Sequence, residues 1–84
     1  MSGRTPTYDK LRREFRGRLA QNLRSQRERL GLTQERAAEK AGFSLQYFQR
    51  IERELVNVPL DTVARLAQAF QVDPARLLIK SQEG

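Results

Sequence analysis

The sequence contains no cysteine and no histidine. Without thiols it can form neither a disulfide nor a thiolate metal site. Without imidazoles, Ser-His and Cys-His nucleophilic relays and His-ligated metal chemistry are also excluded. Carboxylates remain for acid–base work, but they are scattered over predicted helix faces and nothing gathers them in a cleft. The chain therefore reads as a non-enzyme, with no metal, no cofactor and no small-molecule ligand expected. Long apolar runs are missing too. The longest strongly aliphatic stretch is Leu77-Leu78-Ile79, far too short to span a bilayer. The opening MSGRTPTYDK lacks the apolar segment of a signal peptide. A cytoplasmic location with no membrane partner is the expectation.

What is present is a short, basic, helix-forming chain. Its 84 residues make one small domain, and a hydrophobic content of 38% suffices for a compact helical bundle. The net charge is +6, and its distribution says more than its size. Residues 1–30 hold nine basic and three acidic side chains, a surplus of six, whereas residues 31–84 hold seven of each. So one-sided a block suggests a polyanionic partner; the plainer alternative is that arginines solubilise a long helix.

Residues 1–7 carry Gly3, Pro6 and small polar residues and read as a flexible basic arm. From Tyr8 the pattern turns helical, with Leu11, Phe15, Leu19, Leu23 and Leu30 on one stripe about 120° wide. Gly17 interrupts it, at a cost of about 1 kcal/mol relative to Ala, and leaves open whether this is one helix or two. Gly31 ends it. Further on, Leu60, Val63, Leu66, Ala67 and Phe70 mark the core face of another helix, which Pro59 can begin. Asp73-Pro74 then opens a last short helix through Leu77 and Leu78. Residues 80–84 read as a frayed polar tail.

The informative stretch is TQERAAEKAGFSLQYFQRIE, residues 33–52. Thr33 and Ser44 are placed to cap two short helices, and Gly42 supplies the left-handed residue between them. Ala37 and Ala38 are small enough for close helix approach. On a wheel at about 100° per residue, Phe48, Ile51 and Leu55 gather on one side of the second helix. Gln46, Gln49, Arg50 and Arg53 gather on the other. Gln can bond adenine at two points and Arg can bond guanine at two points; such a face is also what any solvated helix shows. Two caps, a glycine turn and an outward polar face describe a helix-turn-helix.

Residues 19–78 resemble the phage-repressor (Cro/Xre-like) helix-turn-helix family. LRSQRERLGLTQERAAEKAG, the FQRIER run and LDTVARLAQAFQVDPARLL carry the likeness. It implies an all-α, five-helix lambda-repressor-like domain over residues 8–79, with residues 8–18 as an N-terminal helical extension that the family does not require. It also implies a transcriptional regulator such as a repressor, bound to double-stranded operator DNA through the second helix of the motif, as a homodimer on a palindromic site. A protein-interaction module, such as an antitoxin body covering a toxin, is the rival. A dimer is expected to be seamed by the last two helices and the apolar loop of Leu55, Val56 and Val58.

On this basis Gln46, Gln49 and Arg50 are the expected base readers. Gln34, Ser44, Tyr47, Arg53, Arg12, Arg13 and Arg16 are the expected contacts to the DNA backbone. Tyr47 has an equal claim as a ring covering the motif. Leu45 matches a base-reading position of the family, but it can at best touch a thymine methyl and reads better as core. Glu52 falls at the edge of the apolar stripe, where an unpaired carboxylate would be costly; the resemblance implies an ion pair with Arg27. The family often has Gly where this chain has Glu54. The third helix is expected from Leu45 to about Ile51 or beyond, and a further turn could run on to Leu55, with Asn57 as the nearest residue suited to a left-handed stop.

Overall fold

A computed structural model describes residues 7–80. The expected arm therefore lies outside the described residues except for Thr7, and the expected tail except for Lys80. Four α-helices form: α1 (Tyr8–Arg29), α2 (Gln34–Ala41), α3 (Leu45–Glu52) and α4 (Leu60–Phe70). No strand forms among the described residues. The fifth helix is a single 3-10 turn, Pro74–Leu77. Asp73 Oδ1 accepts from Ala75 N at 2.8 Å and Leu78 N bonds back to Ala75 at 3.0 Å. That tight turn is long enough to seat Leu77 in the core and no longer.

α1 is one continuous helix of 22 residues. Thr7 caps it, its hydroxyl accepting from Lys10 N at 3.1 Å. Gly17 does not break it. A Cβ built there would sit 3.6 Å from the Glu54 carboxylate, an ordinary contact. At its end Leu32 N bonds to Arg27 O and Gly31 N to Glu28 O, with Gly31 at φ 69°; this is the paired closure that a left-handed residue permits. α2 closes in the same way, through Gly42 at φ 81°.

α3 closes at Glu52 rather than running on to Leu55. The left-handed residue is Glu54 itself, at φ 63°, not Asn57. Leu55 N reaches Arg50 O at 2.9 Å and Glu54 N reaches Ile51 O at 3.1 Å. The bonds of this closure outweigh the strain of a side chain in the left-handed region. α4 starts at Leu60, with Pro59 in the capping position rather than inside the helix.

The core gathers Leu19, Leu23, Phe48, Ile51, Leu66, Phe70 and Leu77 around the three alanines of α2. Arg18, Asn22 and Arg29 donate to the main-chain oxygens of Leu78, Ile79 and Phe70 and fasten α1 to the C-terminal segment. Two expectations about the core fail. Leu60, read as the first residue of a core face, is 79% exposed. The apolar stripe of α1 is buried only at Leu19 and Leu23, while Leu11, Phe15 and Leu30 stay open to solvent. Periodicity marks an apolar face; it does not supply the element that covers it.

Candidate nucleic-acid interface

Local chemistry builds the motif. Thr33 Oγ1 accepts from Arg36 N and Ser44 Oγ accepts from Tyr47 N, each at 3.1 Å. The two caps fix where α2 and α3 begin. Gly42 turns the chain between them, and Phe43 packs edge-on against the Tyr47 ring with centroids 5.2 Å apart. Tyr47 and Leu45 are both half-buried, so each combines packing with partial access to solvent.

The inner side of α3 is anchored by charge. Glu52 is buried, at 3% exposure. Its Oε2 accepts from Arg27 Nε at 2.9 Å, and its Oε1 accepts from Gln34 Nε2 at 2.8 Å. Arg27 also donates to Leu32 O at 3.2 Å, and Arg24 donates to the Glu52 main-chain oxygen at 2.7 Å. A buried carboxylate is tolerable only when paired and hydrogen-bonded, and both oxygens here are satisfied. The result joins α1, α2 and α3 at one point. Arg24 was not singled out from the sequence. Its position three residues before Arg27, on the same side of α1, was the available signal.

The outer side of α3 is different. Gln46, Arg50 and Arg53 are exposed, and their side chains make no hydrogen bond among the described residues. Gln49 stands apart from them. It is half-buried, and its Nε2 donates to Gln34 Oε1 at 3.1 Å. Gln34 is thus engaged twice inside the fold, while its place in the first turn of α2 keeps its backbone near the positive helix end. Ser44 Oγ is already occupied as an acceptor, which leaves its hydroxyl hydrogen free to donate.

The expected backbone arginines of the extension divide. Arg12 pairs with Asp9 at 3.3 Å, Arg16 donates to Asn57 Oδ1, and both border an apolar groove. Arg13 is exposed and makes no side-chain bond among the described residues. On the helix wheel it shares a face with Gly17 and Arg24; a Cβ at Gly17 would meet the Glu54 carboxylate, and Arg24 donates to the Glu52 main-chain oxygen. Arg13 therefore lies on the face of α1 turned toward the end of α3, exposed and unengaged, whereas Arg12 and Arg16 are already held by Asp9 and Asn57.

The family model for a helix-turn-helix domain matches residues 18–78. The chain belongs to this family. As a Cro/Xre-type helix-turn-helix domain, it is 37% identical over 70 residues to control protein C.SmaI of Serratia marcescens, an alignment covering 79% of this chain and 83% of that protein. Its fold is similar to the crystal structure of the restriction-modification controller protein C.AhdI from Aeromonas hydrophila. The TM-score is 0.70 at 34% identity, over 74% of this chain and 90% of that one. It is also similar to the hypothetical transcription factor NHTF from Neisseria, with a TM-score of 0.80 at 28% identity over 98% of this chain and 90% of that one. Coverage that complete takes in the extension at residues 8–18, which lies before the start of the family match except at its last residue. No helix among the described residues is long and apolar enough to cross a membrane.

Proposed function

We propose that this helix-turn-helix domain is a sequence-specific double-stranded DNA-binding transcriptional regulator, a binder rather than an enzyme, acting in the cytoplasm as a homodimer on a palindromic operator. The observation that carries the reading is the contrast between the two sides of α3. One side is locked by Glu52, Arg27 and Gln34; the other presents Gln46 and Arg50 to solvent. A rigid helix with unengaged amide and guanidinium heads is what direct readout in the major groove needs. Gln46 and Arg50 are the readers, and Gln49 contributes from the flank. The α2 N-terminus, Ser44, Tyr47 and Arg53 meet the phosphates on either side. A dimer places two such helices about one turn apart, ~34 Å. The relatives named as control and controller proteins support a controller-type role.

Selection of bound duplexes from a random pool supplies the operator, and substitution then tests the readers. Gln46→Ala should weaken the selected site by about 1–3 kcal/mol and leave random duplex nearly unchanged. An equal loss on both would remove Gln46 from the readers. A second reading, a protein-interaction module of the antitoxin kind, is favoured by the open apolar groove beside α1. Salt titration on random duplex separates the two, because phosphate binding falls steeply with salt and an apolar contact does not.

A further inference from the structure

The first three turns of α1 are an amphipathic helix whose apolar side has no cover within the described residues. All three fully buried residues of α1, Leu19, Ala20 and Leu23, lie in its second half. Before them Tyr8 is 76% exposed and Phe15 46%. Opposite stand Val58 and Leu60, and between the two sides runs a groove of about 590 Å³ floored by Leu19, Val63 and Leu78. No residue of α2 or α3 lines it, so filling it leaves the motif free. A three-turn helix is marginal in water by itself, and this one gains little from its own core.

We infer that the groove is the seam of the homodimer, paired with the same groove of a second copy about a two-fold axis; the inference rests on the dimeric regulator proposed above. Area favours a second copy. Tyr8, Leu11, Phe15 and Leu60 together leave on the order of 500 Å² in water, near the upper range for the largest apolar patch of a monomer. With the remaining lining, the patch approaches the ~800 Å² that each partner contributes to a standard interface. Charge favours it too. Arg12 and Arg16 border the α1 side, while exposed Asp61 follows Leu60 in the first turn of α4. A two-fold axis that sets the α1 side of one groove against the α4 side of the other pairs these edges twice, which makes the patch self-complementary in the isologous sense. The seam is therefore built from the extension and the start of α4, with Leu55 outside it.

The test compares full-length chains by sedimentation across concentration, with helicity and melting checked on each. Leu60→Glu, Phe15→Glu and Tyr8→Glu each place a charge in the groove at an exposed position. Leu55→Glu places one at a residue 64% exposed that does not line it. The expected result is a dimeric parent, a dimer constant weakened at least about a hundredfold in the groove variants that keep parental helicity, and no change for Leu55→Glu. Binding to a duplex carrying one half-site should be unchanged throughout, which reads the DNA interface apart from assembly. A dimeric parent whose folded groove variants stay dimeric overturns the seam and leaves the dimer reading standing. A parent that stays monomeric overturns both. A dimer split by Leu55→Glu alone moves the seam to the 55–58 loop and overturns the inference.

Discussion

Gln49 Nε2 lies 3.1 Å from Gln34 Oε1, so a side chain on the flank of α3 is steadied by the first residue of α2. Gln34 in turn donates to Glu52 at 2.8 Å. The chain of bonds runs from the buried ion pair to the edge of the exposed face. An amide held on one N–H keeps its oxygen and its second N–H for a base edge. The energetic consequence is coupling. Removing Gln34 should cost operator affinity partly through Gln49, and residues sharing a hydrogen-bond network couple by about 0.5–3 kcal/mol. A double-mutant cycle of Gln34→Ala and Gln49→Ala on the selected operator measures it. Strict additivity would show that the two amides act separately.

The ion pair beneath this network should be costly to break from one side. Arg27→Met leaves Glu52 buried without its cation, a loss of about 3–5 kcal/mol. Replacing Arg27 and Glu52 together with apolar residues should cost much less, because no stranded charge remains. Denaturant unfolding of the three variants decides. A fall of under about 1 kcal/mol for Arg27→Met would place the pair in water.

Two backbone positions are open to improvement. Glu54 holds a left-handed conformation that costs a side chain about 1–2 kcal/mol, so Glu54→Gly should stabilise by about 1 kcal/mol. Gly17 lies mid-helix with only an ordinary contact at the Cβ position, so Gly17→Ala should add about 0.4–1 kcal/mol. In a domain of this size each 1 kcal/mol raises the melting midpoint by about 4–8 °C. A lower midpoint for Gly17→Ala would mean that the Glu54 side chain cannot yield.

These features differ in how far the sequence announces them. The helix-turn-helix is legible because its signals are local: Thr33, Ser44 and Gly42 each act within a few residues, and periodicity needs nothing beyond the helix itself. The Arg27–Glu52 contact came from resemblance, since the residues are far apart in the chain. Glu54 was not legible as the left-handed stop, because nothing in a glutamate favours that conformation; the closure of α3 imposes it. The Gln34–Gln49 bond depends on how α2 crosses α3, which no wheel of either helix contains. Leu60 and Phe15 misled for the opposite reason. Their spacing is that of a core, and the fold brings nothing over them.

The divided arginines of the extension give a prediction about salt. The whole charge surplus lies in residues 1–30, since residues 31–84 hold seven basic against seven acidic residues, so the arginines of the extension are placed to add phosphate contacts to those of the motif. Arg12 is paired with Asp9, and Arg16 is bound to Asn57 at the edge of the groove. Arg13 is exposed, on the face of α1 directed at the end of α3. If it meets a phosphate, Arg13→Ala should flatten the slope of log affinity against log salt by about 0.9, the value for one released contact. Arg12→Ala and Arg16→Ala should leave that slope near its parental value. The ranking of operator variants should not change in any of the three, because phosphate contacts position the protein without reading sequence. Affinities at four or five salt concentrations, on the selected operator and on random duplex, provide the measurement. An equal flattening for all three arginines would show that the extension acts as a diffuse basic block, with no one face of α1 turned to the DNA.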